Sequence, residues 1–113
     1  MLEITLELKN TILDTFKIDK DEITIGRNSA NDITIDNLAV SDRHARIVRD
    51  KIGYYLEDLD STNGTFVDGR KINRIGLEGQ QEIKIGKHFL DVKILGSKDA
   101  GSDFTRTMKM DRS

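Results

Sequence analysis

Apolar and polar residues alternate along most of the first 95 positions, in short runs separated by turn-forming residues. In Leu2–Leu8 every second residue is leucine or isoleucine and the others are polar, which places one apolar face on a strand. Similar runs occur at Ile12–Ile18, Glu22–Ile25, Ile33–Ile35, Ala45–Arg49, Tyr54–Leu59, Thr65–Val67, Lys71–Ile72, Glu82–Ile85 and His88–Leu95. About ten short strands without a helical stripe predict an all-β fold, a sandwich of two antiparallel sheets.

Turn residues define where the strands and the domain end. Asp68-Gly69 lies between two short strands and predicts a tight hairpin, because both turn positions need positive φ. The alternation stops at Gly96, and the following residues have the composition of a polar linker. We therefore predict one domain over residues 1–95, and a disordered tail or linker over residues 96–113.

Composition excludes several classes of function. The 113 residues include 18 basic and 20 acidic side chains, a net charge of −2, which disfavours general nucleic-acid binding. Cysteine is absent, so disulfides and thiol catalysis are excluded, and nothing predicts a cofactor or a metal site. Neither a signal peptide nor an apolar run of membrane-spanning length is present, so we expect no membrane partner and a cytoplasmic location.

Three loops at predicted strand ends carry side chains suited to binding an anion. These are Gly26-Arg27, Ser41-Asp-Arg-His44 and Ser61-Thr-Asn-Gly64. Arginine offers a planar fork of donors, and a neighbouring glycine lets a backbone approach closely. Serine and threonine add short hydroxyl donors, and asparagine can both donate to and accept from one peptide unit of a ligand. The set suits a phosphorylated peptide.

In their order and spacing, these motifs resemble those of the forkhead-associated (FHA) domain family. The similarity runs from about Glu3 to Leu95 and rests on Gly26-Arg27, Ser41-x-x-His44 and Thr62-Asn63-Gly64 within the strand pattern. The resemblance implies a sandwich of about eleven short strands that binds phosphothreonine peptides through loops at one end. It also implies a partner phosphorylated by a Ser/Thr kinase, and a role in recruiting or regulating that partner.

The resemblance assigns roles to seven positions of this sequence, and Arg43 is added because it lies close to them in the sequence. Arg27 and Ser41 would contact the phosphate, Thr62 would assist, and Asn63 would hydrogen-bond the ligand backbone. Arg43 would add positive potential beside them. The three loop-shaping positions are Gly26, His44 and Gly64. The notable departure is Asp42, where members of the family often carry a basic or amide side chain; a carboxylate there would repel phosphate unless it turned away to pair with Arg43 or Arg46.

Two other functions compete with phosphothreonine binding. A phosphate-independent interaction or scaffolding module of the same fold is favoured by Asp42. A hydrolase would use Ser41 and His44 with Asp42 or Asp60, but nothing signals the pocket and oxyanion hole that catalysis needs, so we predict no enzyme. We expect His44 to brace neighbouring loops, and His88 to be a surface or half-buried residue of the last strand.

The predicted tail contains two threonines that a kinase could phosphorylate. Thr105 and Thr107 lie in the segment Asp-Phe-Thr-Arg-Thr-Met. Either one, once phosphorylated, is a candidate ligand for the domain itself, and the flexible linker makes capture by a neighbouring molecule easier than capture within one chain.

Overall fold

A computed structural model describes residues 1–95 of the chain as eleven β-strands. In chain order they are β1 (Leu2–Leu8), β2 (Thr11–Ile18), β3 (Glu22–Gly26), β4 (Ile33–Thr34), β5 (Ala45–Arg49), β6 (Tyr54–Asp58), β7 (Thr65–Val67), β8 (Arg70–Ile72), β9 (Arg74–Gly76), β10 (Gln80–Ile85) and β11 (His88–Ile94). Between Met1 and Leu95 no helix is long and apolar enough to span a membrane. The predicted tail lies outside the described residues.

The strands form two sheets, as the alternating pattern predicts. One sheet has six strands in the order β2-β1-β11-β10-β7-β8, and the other has five in the order β4-β3-β5-β6-β9. All pairings among the described strands are antiparallel, as predicted, except that of β3 with β4 at one edge, which is parallel. Strand β9 was not predicted, because its three residues include a single half-buried apolar side chain, Ile75.

The core lies between the sheets and is built from the alternating apolar positions. Within the described residues it contains Leu2, Ile4, Leu6, Ile23, Ile25, Ile33, Ile35, Val40, Ala45, Ile47, Tyr54, Leu56, Val67, Leu77, Ile83, Ile85, Leu90 and Val92. Aliphatic side chains dominate this set, and burying each one stabilises the fold by roughly 1.5–3 kcal/mol. A rigid sandwich of this kind can hold its connecting loops in fixed positions.

The hairpin between β7 and β8 has the predicted turn. Asp68 and Gly69 both have positive φ, at 47° and 86°, and Val67 pairs with Arg70 across the turn. This geometry matches a two-residue turn whose twist suits antiparallel strands.

Strand register brings the candidate loops to one end of the sandwich. Ala45, the first residue of β5, pairs with Ile25 near the end of β3 and with Asp58 at the end of β6. In the other sheet, Thr65 at the start of β7 pairs with Ile85 at the end of β10. The loops β3–β4, β4–β5, β6–β7 and β10–β11 therefore share this end.

His88 departs from its predicted position. Its side chain is 6% exposed, so it belongs to the interior rather than to the surface. Within the described residues its Nδ1 atom has no hydrogen-bond partner, and burial lowers the pKa of the ring. The alternation near β11 places His88 on the same face as the buried Leu90 and Val92, and this explains its burial.

Candidate functional site

Gly26 allows two backbones to approach closely at the base of the candidate site. A Cβ atom at this position would overlap the carbonyl oxygen of Asp42 and lie 2.8 Å from both Asp42 C and Asn31 Nδ2. The proximity permits two backbone hydrogen bonds, from Arg27 N to Ser41 O at 2.9 Å and from Asn28 N to Asp42 O at 3.3 Å. Glycine at the end of β3 thus fixes Arg27 beside the loop that carries Ser41.

The Ser41 hydroxyl is held between two loops. Its Oγ accepts a hydrogen bond from the backbone N–H of Thr62 at 3.0 Å. An oxygen that accepts in this way keeps its own O–H free to donate, so the hydroxyl can serve a ligand oxygen. The same bond places the exposed Thr62 next to Ser41.

His44 connects the β4–β5 loop to the β6–β7 loop from the interior. Its side chain is fully buried, and Nδ1 accepts from the backbone N–H of Ser41 at 3.1 Å. Nε2 lies 2.8 Å from the carbonyl oxygen of Gly64, which fits the neutral tautomer with its proton on Nε2. Both ring nitrogens therefore engage backbone groups of the two loops.

Asp58, at the end of β6, organises the β6–β7 loop and was not recognised from the sequence. Its Oδ1 accepts from the hydroxyls of Ser61 and Thr65, and its Oδ2 accepts from the Ser61 backbone N–H at 3.1 Å. Burial acts to raise the pKa of this carboxyl, but the hydrogen bonds from Ser61 and Thr65 outweigh it, and the pKa is lowered. The Ser61 hydroxyl in turn accepts from Gly64 N at 3.0 Å.

Asn63 links the β6–β7 loop to the β4–β5 loop at the surface. Its Nδ2 donates to the carbonyl oxygen of Ala39 at 2.8 Å, and its side chain is exposed. The carbonyl end of the amide therefore remains able to accept a hydrogen bond from the backbone of a ligand. Leu38, beside Ala39, is 90% exposed and offers an apolar contact next to this amide.

Asp42 pairs with Arg27 rather than with Arg43 or Arg46, the two partners considered from the sequence. Its Oδ1 lies 3.3 Å from Arg27 Nη2 and 3.4 Å from Nε. Pairing with Arg46 is wrong, because that guanidinium binds Glu22 and Glu57 instead, each at 2.8 Å. The exposed Arg43 has no recorded ion pair among the described residues. The candidate phosphate-binding arginine is thus already in contact with a carboxylate.

Lys71 is a second side chain that the sequence did not associate with the site. Its Cε atom lies 3.0 Å from where a Cβ on Gly64 would be, so its aliphatic stem covers that glycine. The side chain is exposed, and within residues 1–95 its ammonium has no recorded partner. It adds a positive charge beside the loop that carries Thr62 and Asn63.

Comparisons with known proteins agree with the fold and with the loops. A model of the FHA domain matches residues 23–86, which include every motif residue described above. The chain belongs to the FHA domain family. Its sequence resemblance to that family is therefore confirmed.

Relatives and solved structures extend this result. An oxoglutarate dehydrogenase inhibitor of Corynebacterium jeikeium is 39% identical over 85 residues, which are 75% of this chain and 58% of the relative. The glycogen accumulation regulator GarA of Mycolicibacterium smegmatis is 33% identical over 78% of this chain and 56% of its own length. The chain thus spans little more than half of each of these relatives.

A solved FHA domain, studied for phosphothreonine-dependent FHA domain interactions, superposes on this chain with a TM-score of 0.73. It is 28% identical, and the match covers 83% of this chain and 98% of the other. The fold prediction of a two-sheet β-sandwich with about eleven strands is therefore confirmed, and FHA domains as a family bind phosphothreonine.

The FHA domain brings most of its predicted site residues into contact with one another. Arg27, Ser41 and Thr62 are joined through the Ser41 backbone carbonyl and hydroxyl. His44 lies beneath them but bonds the Ser41 backbone rather than its hydroxyl, so it is not placed to activate that hydroxyl as a nucleophile. The arrangement presents hydroxyl and guanidinium donors outward, which suits anion binding.

Proposed function

We propose that this FHA domain captures phosphothreonine in an extended peptide segment and carries out no catalysis itself. Arg27 and Ser41 bind the phosphate, Thr62 assists, Arg43 adds positive potential, and Asn63 holds the ligand backbone. Gly26, His44 and Gly64 keep the loops in position. The observation that carries this proposal is the Ser41 hydroxyl, fixed by Thr62 N beside Arg27, with its proton free to donate.

In the cell, we propose, the domain recruits or regulates a protein phosphorylated by a Ser/Thr kinase. The relatives from Corynebacterium and Mycolicibacterium are named as an inhibitor and a regulator, and this supports a regulatory rather than a catalytic role. Ser/Thr kinases use ATP, which is abundant in the cytoplasm, so we propose a cytoplasmic location for a domain that binds their products. We also propose that the domain has no nucleic-acid or membrane partner.

The chain's own Thr105 and Thr107 are proposed as additional ligands. Both lie outside the described residues, and the support comes from sequence alone. A synthetic peptide of residues 101–113, phosphorylated at either threonine, tests this proposal by titration into a domain of residues 1–95. Binding that requires the phosphate supports recognition between copies of the chain, and equal binding of the unphosphorylated peptide contradicts it.

Titration of a phosphothreonine peptide library into the parent and Arg27→Ala proteins tests the central proposal. Removing Arg27 leaves phosphate charge unpaired, so binding should weaken by roughly 2–5 kcal/mol. Arg70→Ala is the matched control, because Arg70 is an exposed arginine beside the Asp68-Gly69 turn, at the opposite end of β7 from the site. Equal binding by the parent and Arg27→Ala proteins would refute this site.

A phosphate-independent interaction module is the second candidate, and the ion pair between Arg27 and Asp42 favours it. A site whose arginine is already paired with a carboxylate offers less attraction to phosphate. The two candidates differ in one measurement, since a scaffolding module binds phosphorylated and unphosphorylated versions of the same peptide alike.

A further inference from the structure

The contact between Arg27 and Asp42 has a consequence for ligand choice. Asp42 Oδ1 lies 3.3 Å from Arg27 Nη2, and the Asp42 side chain is 67% exposed. A phosphate that takes the Nε–Nη2 edge of Arg27 displaces this carboxylate, which occupies that edge. The backbone of Asp42 is held in place, because its carbonyl oxygen accepts from Asn28 N at 3.3 Å and from Asn31 Nδ2 at 2.7 Å, so a displaced carboxylate stays within one side-chain length of the site.

Once phosphate has bound Arg27, the negative charges of the phosphate and Asp42 exceed the positive charge of Arg27. Phosphothreonine brings about −1.5 to −2 at neutral pH. Arg27 and Asp42 contribute charges that cancel, so the carboxylate is left beside the phosphate without its former partner. Two negative groups held close together repel each other, and a nearby cation relieves this repulsion.

A cleft next to Asp42 has room for such a cation. Its volume is about 330 Å³, and it is lined by Thr24, Asn28, Ala30, Asn31, Asp42 and Arg43. Hydroxyl and amide oxygens there can accept hydrogen bonds from an ammonium or a guanidinium. Arg43 is the cation of the lining, and its exposed side chain has no recorded ion pair within residues 1–95.

We propose that Asp42 acts as an internal competitor for Arg27 and thereby selects phosphothreonine ligands that carry a lysine or arginine close to the phosphorylated residue. The ligand's basic side chain pairs with Asp42 once phosphate has displaced it from Arg27. This inference rests on the proposed function and adds the class of peptide that the same site prefers. Thr105 and Thr107, which flank Arg106, have such a neighbour.

The experiment uses a phosphothreonine peptide library, randomised on both sides of the phosphorylated residue, and four proteins: the parent, Asp42→Asn, Asp36→Asn and Arg43→Gln. The parent protein should enrich lysine or arginine at a flanking position. Asp42→Asn should lose that enrichment and bind peptides without basic flanks about two- to fivefold more tightly, since an exposed ion pair of this kind no longer opposes the phosphate. Asp36→Asn is the matched control, because it removes the same charge from an exposed position of the β4–β5 loop.

Salt dependence gives a second readout. Removing Asp42 leaves Arg27 unopposed, so binding of a peptide without basic flanks should weaken more steeply with salt in Asp42→Asn than in the parent. Enrichment that is absent in the parent, or that persists unchanged in Asp42→Asn, would overturn the inference while leaving phosphothreonine binding intact. If Arg43 pairs with the displaced Asp42 in place of a ligand side chain, a preference for basic flanking residues should appear only in Arg43→Gln. That result also overturns the inference for the parent. Failure of the parent and Asp42→Asn to bind any phosphothreonine peptide refutes the proposed function itself.

Discussion

Replacing Gly26 with alanine tests whether close backbone contact builds the site. The new Cβ would overlap the Asp42 carbonyl oxygen and lie 2.8 Å from Asn31 Nδ2, so the β4–β5 loop would have to move. Overpacking of this kind costs about 1–3 kcal/mol. Weakening the bonds from Arg27 N to Ser41 O and from Asn28 N to Asp42 O adds about 1 kcal/mol. We expect the free energy of unfolding to fall by roughly 2–4 kcal/mol.

Gly76→Ala is the matched control for this substitution. Gly76 ends β9, a Cβ there would meet nothing within 4 Å, and its φ is not positive. Alanine at such a position is neutral or slightly stabilising, because it restricts the unfolded chain. Both variants therefore add one methyl group, which contacts the β4–β5 loop in Gly26→Ala and no other described residue in Gly76→Ala.

Urea denaturation of the residue 1–95 domain, followed by circular dichroism, measures both effects. The midpoint should fall in Gly26→Ala without a change in slope, and a thermal melt should shift by roughly 4–8 °C per kcal/mol. Phosphopeptide binding by the folded variant should also weaken, since Ser41 moves away from Arg27. A Gly26→Ala protein within 0.5 kcal/mol of the parent, or a Gly76→Ala protein equally destabilised, would refute the reasoning; the threshold is about the usual spread for neutral surface substitutions.

Three further predictions concern other parts of the site. His44→Ala should destabilise the domain by about 2–4 kcal/mol in urea denaturation, because a fully buried ring and its two backbone hydrogen bonds are lost; unchanged stability would mean that the ring does not brace the loops. Asp58→Asn should cost about 1 kcal/mol at pH 7, because the amide cannot accept from all of the Ser61 and Thr65 donors. The pKa of Asp58 is lowered in the folded state, so its contribution to stability is present above the unfolded pKa and is lost as pH falls through the folded one. Urea midpoints should therefore stay apart down to about pH 4 and converge with those of the parent progressively at lower pH, and a constant difference would contradict this. Lys71→Met keeps the aliphatic stem over Gly64 but removes the charge, so phosphopeptide affinity should fall about two- to fivefold and depend less on salt. An affinity equal to that of the parent at both low and high salt would show that the Lys71 ammonium does not interact with the phosphate.

The sheet architecture could be predicted because its signals are local. Leu2, Ile4 and Leu6 alternate with polar residues and are all buried, and Asp68-Gly69 forms the turn that its composition indicates. Strand β9 and the parallel pairing of β4 could not be predicted. Strand β9 has three residues and showed no recognisable period. Strand β4 lies within the predicted run Ile33–Ile35, but its parallel pairing with β3 depends on the neighbouring strand rather than on its own sequence.

The candidate site residues come from sequence motifs, but the contacts among them could not be predicted from the sequence. Gly26-Arg27, Ser41 and Asn63 follow from motifs, whereas the contact of Arg27 with Asp42 joins side chains 15 positions apart and depends on how β3 meets the β4–β5 loop. Asp58 was also missed. An aspartate at a strand end is common, and only the fold shows that three donors converge on its two oxygens.

The loops and the hydroxyl donor of the candidate site are held in position before a ligand binds. Thr62 N positions the Ser41 hydroxyl and the buried His44 ties both loops together, so a phosphate meets donors that need little further ordering. Preorganisation of this kind lowers the entropic cost of binding. The preformed contact that we propose opposes the ligand is Asp42, whose side chain is 67% exposed. In the proposed mechanism, this single exposed carboxylate sets how tightly, and for which flanking residues, the domain binds phosphothreonine.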